Sequence, residues 1–201
     1  DGTCFSSQTW IFDGSAWRMH VPAMGEPVPP ARERHAMAYD EQRGVVVMFG
    51  GHVTLPTGAP CPGGSTGGGG ECSYHDTWEW TGTAWVNRTT ATRPFARHLH
   101  AMAWRASPPS VVLHGGVHHA QRVGATDCVN SSASGGFAFT VTWSYVDGTW
   151  SLAPVSPSPG ARLAHGAFTL DGRPVILGGF QRAVSPAACP SGALARFGDH
   201  C

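Results

Sequence analysis

The side chains best suited to chemistry in this 201-residue chain are its eleven histidines and six cysteines. His114, His118 and His119 cluster around the end of one apolar run, with His98 and His100 one run earlier. Imidazoles at such spacing can share a metal ion. The acidic partners that normally steady ligating histidines are not evident around these three. His35, His100 and His165 form a different set, each three residues after an arginine (Arg32, Arg97 and Arg162). A pair repeated in this way reads as structural, because buried polar groups normally have fixed partners: the histidine on a backbone group, the arginine tying loops together. No Gly-x-Ser-x-Gly motif is present. Glu26, Glu71, Asp76 and Asp127 fall in loop-like stretches without an evident partner. The Gly63–Gly70 run lacks the lysine and following helix of a phosphate-binding loop and reads as a flexible surface loop. No catalytic residue and no cofactor are therefore named.

The elements that must position these residues follow from internal repetition, which takes precedence over local signals. One motif runs Arg32 to Tyr39 and then Val45 to Gly51, with His35, Gly50 and Gly51 inside it. It recurs from Arg97 with His100, Gly115 and Gly116, and from Arg162 with His165, Gly178 and Gly179. The arginines are spaced 65 residues apart both times. A second motif interleaves: Thr9-Trp10 to Trp17, Thr77-Trp78 to Trp85, and Thr142-Trp143 to Trp150, each with a glycine turn between its tryptophans. Each copy of the second motif is a short strand, a turn and a second strand, the signature of a β-hairpin. Each full unit thus supplies four short strands: two ending in Gly-Gly, then the tryptophan hairpin. The glycine pair allows the backbone to turn with positive φ. The tryptophan rings are expected to fill the space between neighbouring sheets as core.

This pattern resembles the kelch repeat, and the resemblance covers nearly the whole chain. It implies an all-β fold of four-stranded antiparallel propeller blades. The unit is longer than the roughly 50 residues usual for that family. The excess lies between Gly-Gly and the hairpin, in loops such as Leu55–Tyr74. Three blade equivalents are expected: residues 1–29 as the outer hairpin of a split blade, 30–92 and 93–157 as whole blades, and 158–201 as the inner strands of the split blade.

The two ends are complementary halves. An isolated hairpin is marginally stable, and an uncovered apolar strand such as Pro174–Leu177 invites pairing with another chain. A ring of three blades falls below the usual ~4 to 8. The expected outcome is that one molecule completes another, giving a six-bladed dimer or, if the contact does not close, a head-to-tail filament. A fragment of a longer propeller is the alternative. A ligand-binding propeller for a glycan or a protein is a second reading, with Trp80 and Trp104, which lie outside the repeated tryptophan positions, as candidate stacking platforms. A metal-dependent enzyme on the same scaffold is a third. Within that third reading, a galactose-oxidase-like copper site would need tyrosine ligands. The chain offers only Tyr39, Tyr74 and Tyr145, of which Tyr39 and Tyr145 read as core.

An even count of cysteines among Gly- and Pro-rich loops reads as disulfides in an oxidising compartment. By analogy between units, Cys61 pairs with Cys72 and Cys4 with Cys189, the latter between molecules, leaving Cys128 with Cys201; a local Cys189–Cys201 bond is the rival. The chain begins at Asp1 with no export signal, as a processed extracellular product would. Asn87 and Asn130 open glycosylation sequons. Acidic and basic residues balance at 13 each, so no basic field exists to hold nucleic acid. No apolar run approaches the ~20 residues of a membrane span.

Overall fold

A computed structural model describes residues 4–68, 70–118, 128–130 and 137–181, and every regular element among them is a strand. The first two, β1 (Trp10–Phe12) and β2 (Trp17–Met19), form a hairpin with Phe12 opposite Trp17. Next come β3 (Ala36–Asp40), β4 (Val45–Phe49), β5 (His52–Thr54), β6 (Ser65–Gly68), β7 (Glu71–Tyr74), β8 (Thr77–Trp80) and β9 (Trp85–Asn87). Of these, β3, β4, β8 and β9 lie side by side in that order as one antiparallel sheet, and β5, β7 and β6 form a smaller one. The plan repeats with β10 (Ala101–Arg105), β11 (Ser110–His114), β12 (Val117–His118), β13 (Cys128–Asn130), β14 (Phe137–Phe139), β15 (Thr142–Val146) and β16 (Thr149–Ala153). Here the sheets are β10-β11-β15-β16 and β12-β14-β13. Last are β17 (Arg162–Leu163), β18 (Gly166–Leu170), β19 (Arg173–Leu177) and β20 (Phe180–Gln181), paired as β18 with β19 and β17 with β20.

The β-branched runs of β4 and β11 lie in the middle of their four-stranded sheets. Met48 stands between Met37 and Trp78, and Leu113 between Met102 and Trp143. Ile176 stands opposite Ala167 on one side only. The main core lies between the two four-stranded sheets, where Phe49, Trp104, Leu113, Tyr145 and Trp150 are buried together. Each such side chain contributes about 1.5–3 kcal/mol on leaving water. The strands β3, β10 and β18 run beside one another around a cleft of about 200 Å³, floored by Met37, Met102 and Phe168 among others.

Several expectations are corrected here. The stretch read as a loop at Leu55–Tyr74 contains β6 and β7, and the Gly-rich segment is paired rather than free: Ser65–Gly68 lies along Glu71–Tyr74. Small residues let the two backbones close, and the Cys61–Cys72 disulfide ties the segment together. Trp10 and Trp17 are not core. They are exposed, because β1 and β2 have no inner strands beside them in their sheet. Tyr145 is buried as expected from a core position, but Tyr39 is exposed and lines the cleft between β3, β10 and β18. The Cys4 thiol is exposed and makes no disulfide among the described residues of the single chain, and Cys189, its expected partner in another molecule, lies outside them. The other expected pairings involve the side chains of Cys128, Cys189 and Cys201, which lie outside the described residues. Among the described residues no helix is long and apolar enough to cross a membrane.

Candidate functional site

The repeated residues meet where one sheet passes to the next. Within each unit the arginine reaches the carbonyl of the first glycine: Arg32 Nη1 to Gly50 O at 2.9 Å, Arg97 to Gly115 at 2.8 Å and Arg162 to Gly178 at 2.5 Å. The second glycine then reaches the following unit. Gly51 N–H donates to Arg97 O at 2.9 Å, and Gly116 N–H to Arg162 O at 2.8 Å. Glycine is required at the first position, because φ is +65° at Gly50 and +69° at Gly115 and a Cβ there would strike the next unit. At Gly50 it would lie 2.5 Å from Arg97 O and 3.0 Å from His100 Cε1. At Gly115 it would lie 2.3 Å from Arg162 O and 3.0 Å from His165 Cε1.

The repeated histidines are therefore packing surfaces at these junctions. Neither ring nitrogen of His165 has a hydrogen-bond partner among the described residues, where a backbone bond was expected. Burial, then nearby positive charge, holds His100 well below the ordinary imidazole range. Burial, with His114 and Arg162 beside it, lowers His165 to about 4. Burial and then Arg32 also lower His35. All three rings are thereby favoured in the neutral form, which at His100 and His165 suits a flat body lying on a glycine.

A further ladder runs through the residue just before each repeated histidine. Leu99 N–H donates to Arg34 O at 3.1 Å, and Ala164 N–H to Leu99 O at 2.8 Å. All three residues have φ near +55° (55°, 56° and 54°). No residue type marks this position, since Arg, Leu and Ala share only their place in the repeat.

On the outer side the tryptophans tie neighbouring hairpins. Trp85 Nε1 donates to Thr9 Oγ1 at 2.8 Å, and Trp150 Nε1 to Thr77 Oγ1 at 2.9 Å. The equivalent of these two rings at the start of the chain is Trp17. It is 65% exposed, against 6% for Trp85 and 1% for Trp150. The threonine preceding each hairpin's first tryptophan was visible in the sequence, but its role as acceptor was not.

Trp78 and Trp85 are buried together, with Trp80 against them; Trp143 packs on the main core. Trp80 also meets the His20 ring edge-on at 4.9 Å. Trp104 is buried within the β10 face. Burial leaves Trp104 no open ring face, and Trp80 is partly buried against His20 and Trp85. His114 is engaged through both nitrogens, Nδ1 with Thr142 Oγ1 at 2.9 Å and Nε2 with Gly160 O at 3.0 Å. His118 is buried edge-on against Phe95, 4.9 Å away. His119 lies outside the described residues. Among the described residues no group of three His, Cys, Asp or Glu side chains is placed to hold a metal.

Three carboxylates that looked unpartnered are paired. Asp76 takes Arg32 in a two-pronged ion pair at 2.6 and 2.7 Å and also accepts Trp78 Nε1. Glu26 meets His20 at 3.0 Å, and Glu71 meets His52 at 2.6 Å. Asp127 lies outside the described residues. Glu79, which the sequence did not single out, is buried in a network with Arg43, Arg88 and the hydroxyl of Tyr145. Burial and the hydrogen bond to Glu79 push the Tyr145 hydroxyl's pKa up. A cleft of about 460 Å³ opens beside Arg43, Arg88 and Asp147, but both arginines are committed to Glu79. No family model and no curated protein matches this chain.

Proposed function

We propose that this chain is a kelch-like propeller protein of the extracellular space that assembles with copies of itself, with a structural or scaffolding role. The β1–β2 hairpin of one molecule would complete the β18–β19 sheet of the next. The observation that carries this reading is the match between two incomplete sheets. The hairpin has the outer strands' residues and turn with no inner strands beside it, and β18–β19 has the inner strands with no outer hairpin among the described residues. By analogy with the two complete sheets, Ile176 would stand opposite Trp10 and Leu177 opposite Thr9.

The apolar side chains at both edges fit that role. Trp10, Ile11, Phe12 and Trp17 on the hairpin are exposed, as are Phe168, Leu170 and Leu177 on the other side. A strand edge of this character needs cover, and the two patches match in residue type and length. The Cys61–Cys72 disulfide fits an oxidising compartment. The Trp17→Ala variant tests the reading. Its ring is exposed in the single chain, so the far-ultraviolet circular dichroism should stay unchanged while sedimentation velocity shows self-association lost. A variant that assembles as the parent does would contradict the proposal.

A further inference from the structure

The junctions on the inner side form a series whose last member is not made among the described residues. Each of Gly50 and Gly115 packs under the histidine of the following unit, and each of Gly51 and Gly116 donates to the following unit's arginine carbonyl. Gly178 has the same φ of +69° as Gly115, yet nothing among the described residues lies within 4 Å of where its Cβ would be. Gly179 N–H has no hydrogen-bond partner among the described residues, and neither has Ala164 O. At the other end of the series, Arg32 O and Arg34 N–H are likewise unmatched among the described residues. Two donors and two acceptors are thus left over, in the arrangement that the two observed junctions satisfy.

We propose that a second copy of this chain seats its Arg32–His35 turn on Gly178 and Gly179, forming a second contact distinct from hairpin exchange. This rests on the self-assembly reading above and adds a separate surface to it. Gly179 N–H donates to Arg32 O of the partner subunit. Arg34 N–H of the partner subunit donates to Ala164 O, continuing the Arg34–Leu99–Ala164 ladder. The imidazole of His35 of the partner subunit lies over Gly178, as His100 lies over Gly50 and His165 over Gly115. The same partner molecule can make both contacts, because Thr9 of its hairpin is already bonded to its own Trp85 beside the first full sheet. The occupant is a second copy rather than an unrelated protein, since the turn that fits is present twice in this chain already, at 97–100 and 162–165.

The test compares three variants with the parent by sedimentation equilibrium. Gly178→Ala adds a methyl group that is free of neighbours in the single chain but meets the partner's carbonyl in the assembly. Gly82→Ala is the control: φ is +97° and nothing among the described residues lies within 4 Å, so it places alanine at a positive φ at least as unfavourable, away from the junction. His35→Ala removes the ring expected over Gly178. The expected result is that Gly178→Ala weakens association by about tenfold or more, that His35→Ala weakens it in the same direction, and that Gly82→Ala leaves it within about threefold. Circular dichroism and thermal unfolding at low concentration confirm that each single chain is folded. If the parent assembles and Gly178→Ala and His35→Ala assemble equally well, the inner contact is overturned while hairpin exchange stands. A parent that never assembles overturns both.

Discussion

Trp150 donates its indole N–H to the Thr77 hydroxyl at 2.9 Å, joining two sheets across 73 residues of sequence. Trp85 and Thr9 repeat the relationship one unit earlier at 2.8 Å. The bond is short, buried and reproduced, so it fixes how far one hairpin lies from the next.

Replacing Thr77 by Val keeps the shape and strands the buried indole N–H without an acceptor. A loss of about 1–3 kcal/mol in unfolding free energy is expected, read as a lower urea midpoint. A midpoint equal to that of the parent would show that the bond holds nothing.

The Arg32–Asp76 pair is buried on both sides and joins the start of one unit to its hairpin. Removing one partner leaves an uncompensated charge, so Arg32→Met should cost about 3–5 kcal/mol. The double change with Asp76→Leu should recover a large part of that, because the stranded charge is gone. A double variant as unstable as the single one would show that packing around Arg32, including the Tyr74 ring 4.0 Å beneath its guanidinium, matters more than the charge.

Much of this was legible beforehand. Arg32, Arg97 and Arg162, with their glycine pairs, announce equivalent places because the same backbone turn and contact recur wherever those types recur. The hairpin turns at Gly14, Gly82 and Gly148, all at positive φ, were visible for the same reason. What escaped was whatever depends on distance along the chain. Asp76 finds Arg32 from 44 residues away. Ser65–Gly68 forms a strand because Glu71–Tyr74 lies alongside, since Gly67 and Gly68 disfavour a strand by themselves. Trp10 and Trp78 occupy equivalent places and differ only in whether inner strands lie beside them, which no local pattern records.

Acid should destabilise the fold. His100 and His165 have imidazole pKa values depressed by burial, that of His165 to about 4. Between the ordinary value near 6.5 and the folded value the unfolded chain binds more protons, so unfolding free energy rises with pH across that window. The contribution is complete above about pH 6.5 and falls away as pH drops toward 4. Melting temperatures at pH 7.5 and 4.5 should differ less for His165→Gln than for the parent. An unchanged difference would mean that His165 is not a source of the slope.

The Cys61–Cys72 bond closes a short segment against the β5-β7-β6 sheet. Replacing both cysteines by serine and alanine should lower stability by about 2–3 kcal/mol and expose the 55–71 stretch to proteolysis. Equal resistance in both proteins would show that strand pairing alone holds this segment.

On the proposed assembly, another copy completes the β1–β2 and β18–β19 edges, both left incomplete among the described residues. Native mass spectrometry over a range of concentrations measures that directly. The account predicts a dimer or a higher multiple of the 21.1 kDa chain, falling to the single chain on Trp17→Ala. A stable, folded species at 21.1 kDa at every concentration would contradict it.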